Sequence, residues 1–169
     1  MDALAILKNG HRAVEAAVEG LPEADWYTLG VAGVWSVKDI IAHLAGFEHL
    51  LVEALRALLN DGPTPALDRF VKDREAFNDA EVAARHAMTV GAVWVDYAQG
   101  GNEALAQLAQ TPEAARRRKG ALPCFGADCD LEDFIVDTIY GHKREHAAQI
   151  AAFRAQRKRP KNGIPLLSL

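Results

Sequence analysis

The sequence predicts an all-α protein: a four-helix bundle with a helical crossover between its second and third long helices. Three observations carry this. Four long stretches repeat apolar residues at three- and four-residue steps, the period of a helix with one buried face. No stretch alternates apolar and polar residues for long enough to make a strand. The connection between the second and third stretches is long and weakly helical in its own right. At 169 residues the chain reads as one domain, 1–169, large enough to bury a core without staples.

Leu4, Leu7, His11, Val14 and Val18 form the stripe of the first helix, which ends near Gly20-Leu-Pro22. Gly10 inside it lowers local helix stability by up to about 1 kcal/mol relative to Ala. His11 lies on the stripe and reads as a histidine at the edge of the core. Pro22 to Val34 is a connector, loosened by Gly30 and Gly33 and bracketed by Trp26 and Trp35. Ser36-Val-Lys-Asp39 opens the second helix, because Ser36 can accept from first-turn N–H groups while Asp39 reaches back. Its stripe is Ile40, His43, Leu44, Phe47, Leu51, Ala54 and Leu58. His49 lies about 120° around the helix from His43 and reads as a flank residue.

Asn60-Asp-Gly-Pro-Thr-Pro65 stops that helix. Leu67 to Met88 reads as one or two short helices around Phe70, Val71, Phe77 and Val82, with a break expected at Asn78-Asp79 and His86 facing solvent. Thr89 to Gln110 is the third long helix, with Val90, Val93, Trp94, Tyr97, Gly101, Leu105 and Leu108 on its stripe. Gly100-Gly101 disfavours a helix by on the order of 2 kcal/mol, so either the helix kinks there or a neighbour comes close. Thr111-Pro112 ends it, and Ala114 to Ala127 reads as a loop. Asp130-Leu-Glu-Asp133 opens the fourth helix, whose inward line is Ile135, Ile139, His142, His146, Gln149 and Phe153. Pro160 closes it, and beyond it lies an apolar tail (Ile164, Leu166, Leu167), suited to docking on the bundle or on a second subunit.

The net charge of −4 argues against a nucleic-acid binder, which needs a concentrated basic surface. The basic runs Arg116 to Lys119 and Arg154 to Lys161 read as solvated charge. Without an apolar run of about 18 residues the chain is not expected to enter a membrane. Without a targeting segment at its start it is expected in the cytoplasm, with Cys124 and Cys129 reduced.

Three histidines sit on stripes that should otherwise be apolar: His43 on the second long helix, His142 and His146 on the fourth. At about 3.6 residues per turn, His142 and His146 stack one turn apart on one face. A buried imidazole must satisfy both nitrogens, which a metal and a second acceptor together achieve. Three imidazole ligands from two helices leave a coordination position open, as catalytic metal sites do, and zinc or nickel suits them. The inward Glu and Glu-x-x-His ligands of a di-iron bundle are missing, and the residue after His142 is Lys143, not the Glu of a zinc protease.

Trp35 to Glu48 resembles the helix-two signature of the DinB/YfiT-like superfamily, and Asp137 to Ile150 resembles its helix-four signature. Phe77 to Val82 is similar to its crossover segment. Within the superfamily the nearer resemblance is to the ClbS/DfsB-like branch of self-resistance bundles. The resemblance implies up-down-down-up topology and a homodimer. It also implies a metal held by one histidine from helix two and two from helix four, at the positions of His43, His142 and His146. The implied activity is that of a metal-dependent hydrolase or thiol-dependent transferase acting on a small electrophile. The competing readings are a metal-free hydrolase or binding protein of the self-resistance type, and a non-catalytic dimeric bundle. Trp35, Trp94, Tyr97, Tyr140 and Gln149 are the candidate substrate-binding residues. Glu48 and Glu145 are polar neighbours of the triad in sequence, but both fall off the inward stripes and read as helix-surface residues.

Overall fold

The computed structural model describes residues 2–59, 63–122 and 126–158. α1 (Ala3–Val18) starts on Asp2, whose carboxylate accepts from the N–H groups of Leu4 and Ala5. The connector after α1 carries one short turn, α2 (Glu23–Trp26), and an isolated bridge between Ala32 and Trp35. α3 (Val37–Leu58) opens on the expected capping box. Ser36 Oγ accepts from the Asp39 N–H at 3.2 Å, and the Ser36 N–H donates to the Asp39 carboxylate at 2.9 Å.

The crossover is two helices, α4 (Pro65–Lys72) and α5 (Arg74–Ala84), and its break falls at Asp73 instead of Asn78-Asp79. Asp73 is extended, ends α4, and caps α5 by accepting from the Ala76 N–H at 3.0 Å. That cap starts a new helix through Asn78 and Asp79, with Phe77 turned into the core. Arg85 then ties the crossover to the third long helix through Asp96, at 2.6 Å.

α6 (Val90–Gln110) runs unbroken through Gly100-Gly101, so the glycines mark close approach and not a kink. A Cβ on Gly100 would stand 2.8 Å from Glu48 Cβ, and one on Gly101 2.7 Å from His11 Cε1. A short turn, α7 (Glu113–Arg116), interrupts the stretch expected to be a loop. The fourth long helix begins as α8 (Leu131–Phe134) on an Asp130/Asp133 capping box, widens to a π segment (Ile135–Tyr140), and continues as α9 (Gly141–Lys158). The π segment was not expected. Its wider turn rotates α9, so the buried line is Ile135, Ile139, Lys143, Ala147 and Ile150 with His146 beside it. His142, Gln149 and Phe153 sit half-buried on the flank of that line. Pro123, Cys124, Pro160 and the apolar tail lie outside the described residues.

Side-chain contacts fix the directions. His11 meets Gly101 while Glu15 shares a cleft with Trp94, so α1 and α6 are antiparallel. His49 bonds Asp96 and Arg56 bonds Glu103, so α3 and α6 run together. Gly10 meets Lys143, and Arg154 donates to the Ala17 carbonyl, so α1 and α9 run together. Trp35 packs on His146 and Phe47 on His142, so α3 opposes α9. The result is the up-down-down-up bundle, with α4 and α5 spanning the two parallel helices. No helix among the described residues is long and apolar enough to cross a membrane.

Among the described residues the core is two apolar clusters. One gathers Leu7, Leu51, Leu55, Leu108 and Phe134; the other gathers Val14, Ile40, Leu44, Val93 and Ile150. On α1, α6 and the fourth long helix the residues between these clusters are small, polar or charged (Gly10 and His11, Gly100 and Gly101, His142 and Lys143), and on α3 His43 and Glu48 reach the same level from among apolar neighbours. The bundle therefore carries a polar layer at mid-height.

Candidate metal centre

His43 projects from α3 into that layer and meets His142 and His146 from α9. The Nε2 atoms of His43 and His142 lie 2.9 Å apart, and those of His146 and His142 also lie 2.9 Å apart. Ligand nitrogens of all three fall within 4.8 Å of one another. His43 is 1% exposed and His146 6%. Trp35 lies against His43 with ring centroids 4.8 Å apart, and Phe47 packs on His43 at 4.9 Å and on His142 at 4.4 Å.

Electrostatics keeps these rings neutral. Burial, then the neighbouring His142 and His146, pushes His43 down to about 2. Burial, then His146 and Lys143, pushes His142 down to about 3. Burial also lowers His146, although its bond to Gln149 opposes the shift. Three neutral imidazoles with converging nitrogens cannot all satisfy one another, since His142 Nε2 faces two partners and carries at most one proton. His146 Nδ1 donates to Gln149 Oε1 at 2.8 Å, which leaves its Nε2 as a lone pair facing the other two rings. His43 Nδ1 is buried without a partner among the described residues. This donor set fits a divalent cation held by three nitrogens with a position left open.

Of the three rings, His142 lines a cleft of about 370 Å³, walled by Phe47 and Phe70 and rimmed by Arg74, Asn78, Asp137 and Glu145. Compared with known proteins, the chain matches the mycothiol maleylpyruvate isomerase N-terminal domain over residues 7–126. The chain belongs to that family. The mycothiol maleylpyruvate isomerase N-terminal domain is a DinB/YfiT-like four-helix bundle, so the match agrees with the resemblance carried by the two helix signatures. The matched span holds His43 and ends before His142 and His146. No curated protein and no solved structure matches the chain.

In this family member the candidate substrate-binding residues separate. Trp35 and Gln149 touch the triad. Tyr140 lies beside Gly10 with the Arg144 guanidinium over its ring, at the end of the π segment on the α1 side. Trp94 and Tyr97 belong to a different face. Trp94 packs edge-on against Trp26 across a cleft of about 660 Å³ between α1 and α6, and Tyr97 packs on His11. His49 is half-exposed and bonded to Asp96, and His86 and Glu145 are exposed, as their positions suggested.

Glu48 departs from its expected place: it is fully buried, not on the helix surface. Its partner is Lys143, also fully buried, and His11 Nε2 donates to the same carboxylate oxygen at 3.1 Å. Burial pushes Glu48 up, but Lys143 and His11 outweigh it and hold the carboxyl below its ordinary range. In sequence Lys143 does no more than rule out a protease motif. The legible signal for this cluster is the glycines, since small residues on two facing helices, Gly10 on α1 and Gly100-Gly101 on α6, make room for something large. Phe70, Arg74 and Asn78 were missed as cleft residues because the crossover's path over the site is a tertiary fact.

Proposed function

We propose that the protein is a metal-dependent enzyme acting on a small electrophile, with a low-molecular-weight thiol as the attacking partner. The observation that carries this reading is the convergence of three neutral imidazole nitrogens, one of whose rings, His142, lines an open cleft. A divalent cation there, zinc or nickel, supplies Lewis-acid chemistry and lowers the pKa of a thiol or water that binds it. His43, His142 and His146 hold it, and Gln149 fixes the tautomer of His146. Trp35 and Phe47 cover the rings and keep water from their apolar faces. The family name joins a thiol to a small-molecule isomerase, which supports a thiol-dependent transferase or isomerase ahead of a hydrolase. The cytoplasmic location and the homodimer implied by the resemblance belong to the same proposal.

The test is metal content by mass spectrometry on untagged protein, wild type beside His146→Ala. About one equivalent is expected in the wild type and none in the variant, followed by metal-dependent consumption of thiol with a panel of electrophiles. Wild type that stays metal-free after zinc and nickel are offered rejects the reading.

A second reading has one observation of its own. The Trp26–Trp94 cleft is larger than the one at the triad and lies on another face of the bundle. There the protein would bind an apolar small molecule without metal, in the manner of a self-resistance protein. Ligand quenching of tryptophan fluorescence in metal-free protein, lost on Trp94→Ala, is the expected result. Failure of a broad apolar ligand set to quench removes it.

A further inference from the structure

Beside the triad, the polar layer buries a second ionisable group that the proposed chemistry does not use. Glu48 and Lys143 are ion-paired in full burial, and His11 bonds the same carboxylate oxygen. Glycines make the room. A Cβ on Gly10 would stand 3.1 Å from Lys143 Cδ, one on Gly100 2.8 Å from Glu48 Cβ, and one on Gly101 2.7 Å from the His11 ring. Lys143 Nζ also lies 6.0 Å from the centre of the Tyr97 ring. All four long helices thus close on Glu48.

Stability gives no account of this arrangement. Replacing a buried ion pair by apolar side chains of similar volume is often neutral or stabilising. Position does give one. The two helices that carry the triad pack chiefly on other partners, α3 on α6 and α9 on α1. Among the described residues, Glu48–Lys143 is the one ion pair that joins α3 to α9. Lys143 directly follows His142, and Glu48 directly follows Phe47, whose ring packs on both His43 and His142. The π segment ends at Tyr140, two residues before His142, so α9 does not inherit its rotation from a regular α-helix.

We propose that Glu48 and Lys143 are positioning residues whose buried pair sets the rotation and height of α9 against α3, so that His142 and His146 face His43. The pair acts as a buried polar contact does in a coiled coil, fixing register at the expense of stability. The inference rests on the metal reading for its functional consequence and on geometry alone for the positioning itself.

The test uses the full chain carrying Glu48→Gln together with Lys143→Met, which removes both charges and leaves His11 an oxygen to meet. Three quantities are read: the melting temperature, cobalt(II) affinity with its visible spectrum, and, in metal-free protein, the nuclear Overhauser effect between the His43 and His142 rings, whose centroids lie 4.7 Å apart. The double variant is expected to melt no lower than wild type. It should bind cobalt roughly tenfold more weakly with an altered spectrum, and it should lose the ring-to-ring effect. A variant with unchanged cobalt affinity and an intact ring-to-ring effect overturns the inference, as does one that melts lower yet binds cobalt normally. Wild type that takes up no cobalt, but shows a ring-to-ring effect that the double variant loses, rejects the metal reading and leaves the positioning role standing. Should the double variant fail to fold, Gly10→Ala carries the same test, because its methyl, 3.1 Å from Lys143 Cδ, makes the stem give by a few tenths of an ångström with both charges kept. A weakened ring-to-ring effect is expected there, and an unchanged one with normal cobalt binding overturns the inference.

Discussion

Gln149 decides which nitrogen His146 offers. With Nδ1 donating to the Gln149 carbonyl at 2.8 Å, the lone pair is left on Nε2, toward His142. Gln149→Ala frees the ring to change tautomer and should weaken zinc binding roughly tenfold, read by competition with a chromophoric chelator. Equal affinity in the variant would show that the bond does not hold the tautomer. Acid should act on the same rings in metal-free protein. His43 and His142 titrate at an ordinary value of 6.5 in the unfolded chain, but at about 2 and about 3 when folded. Between those values the unfolded chain binds more protons, so stability is intact above pH 6.5 and falls as pH drops toward 3. The slope is about 1.4 kcal/mol per pH unit for each histidine. The urea midpoint should therefore decline from pH 6.5 to pH 4, and more shallowly in His43→Gln. Matching slopes would contradict the burial of a neutral His43. The triad was legible because its members interrupt apolar stripes at helical spacing. Glu48 was not, because a charged residue off the stripe looks solvated until its partner across the bundle is known.

Helix boundaries were legible wherever local chemistry fixes them: Ser36 with Asp39, Asp130 with Asp133, and Thr89 each cap where their side chains permit. The π segment was not, since nothing in Ile135–Tyr140 departs from ordinary helix composition, and the wide turn answers to packing around it. Gly100 and Gly101 show propensity and packing in opposition. By propensity, Ala at either position should gain up to about 1 kcal/mol. By packing, Gly100→Ala drives a methyl to 2.8 Å from Glu48 Cβ, close to the α3 backbone where little can yield. Overpacking of this kind destabilises by roughly 1–3 kcal/mol, so packing wins and the variant should lose stability in urea titration. Gly91→Ala on the same helix meets nothing within 4 Å and should be neutral or slightly stabilising. A stabilised Gly100→Ala would mean that α3 and α6 are not held at this distance.

Among the described residues the long helices form two parallel pairs, α3 with α6 and α1 with α9, and the triad spans the seam between them. A cation bound there ties one pair to the other and binds only when both are docked, so its binding energy adds to global stability. At free zinc one hundredfold above its dissociation constant, the gain is about 2.7 kcal/mol. For a chain of this size each kcal/mol moves the melting temperature by roughly 2–4 °C, so zinc should raise it by roughly 5–10 °C. Substitution on either side of the seam should abolish the shift alike, His43→Ala from α3 and His146→Ala from α9. Trp94→Ala, on the α1–α6 face, should keep it even if its own baseline is lower. This symmetry separates a seam-spanning centre from zinc held by one helix. A pair His142–His146 acting alone, one turn apart on α9, would keep most of the shift in His43→Ala, and that result would reduce the centre to a surface chelate.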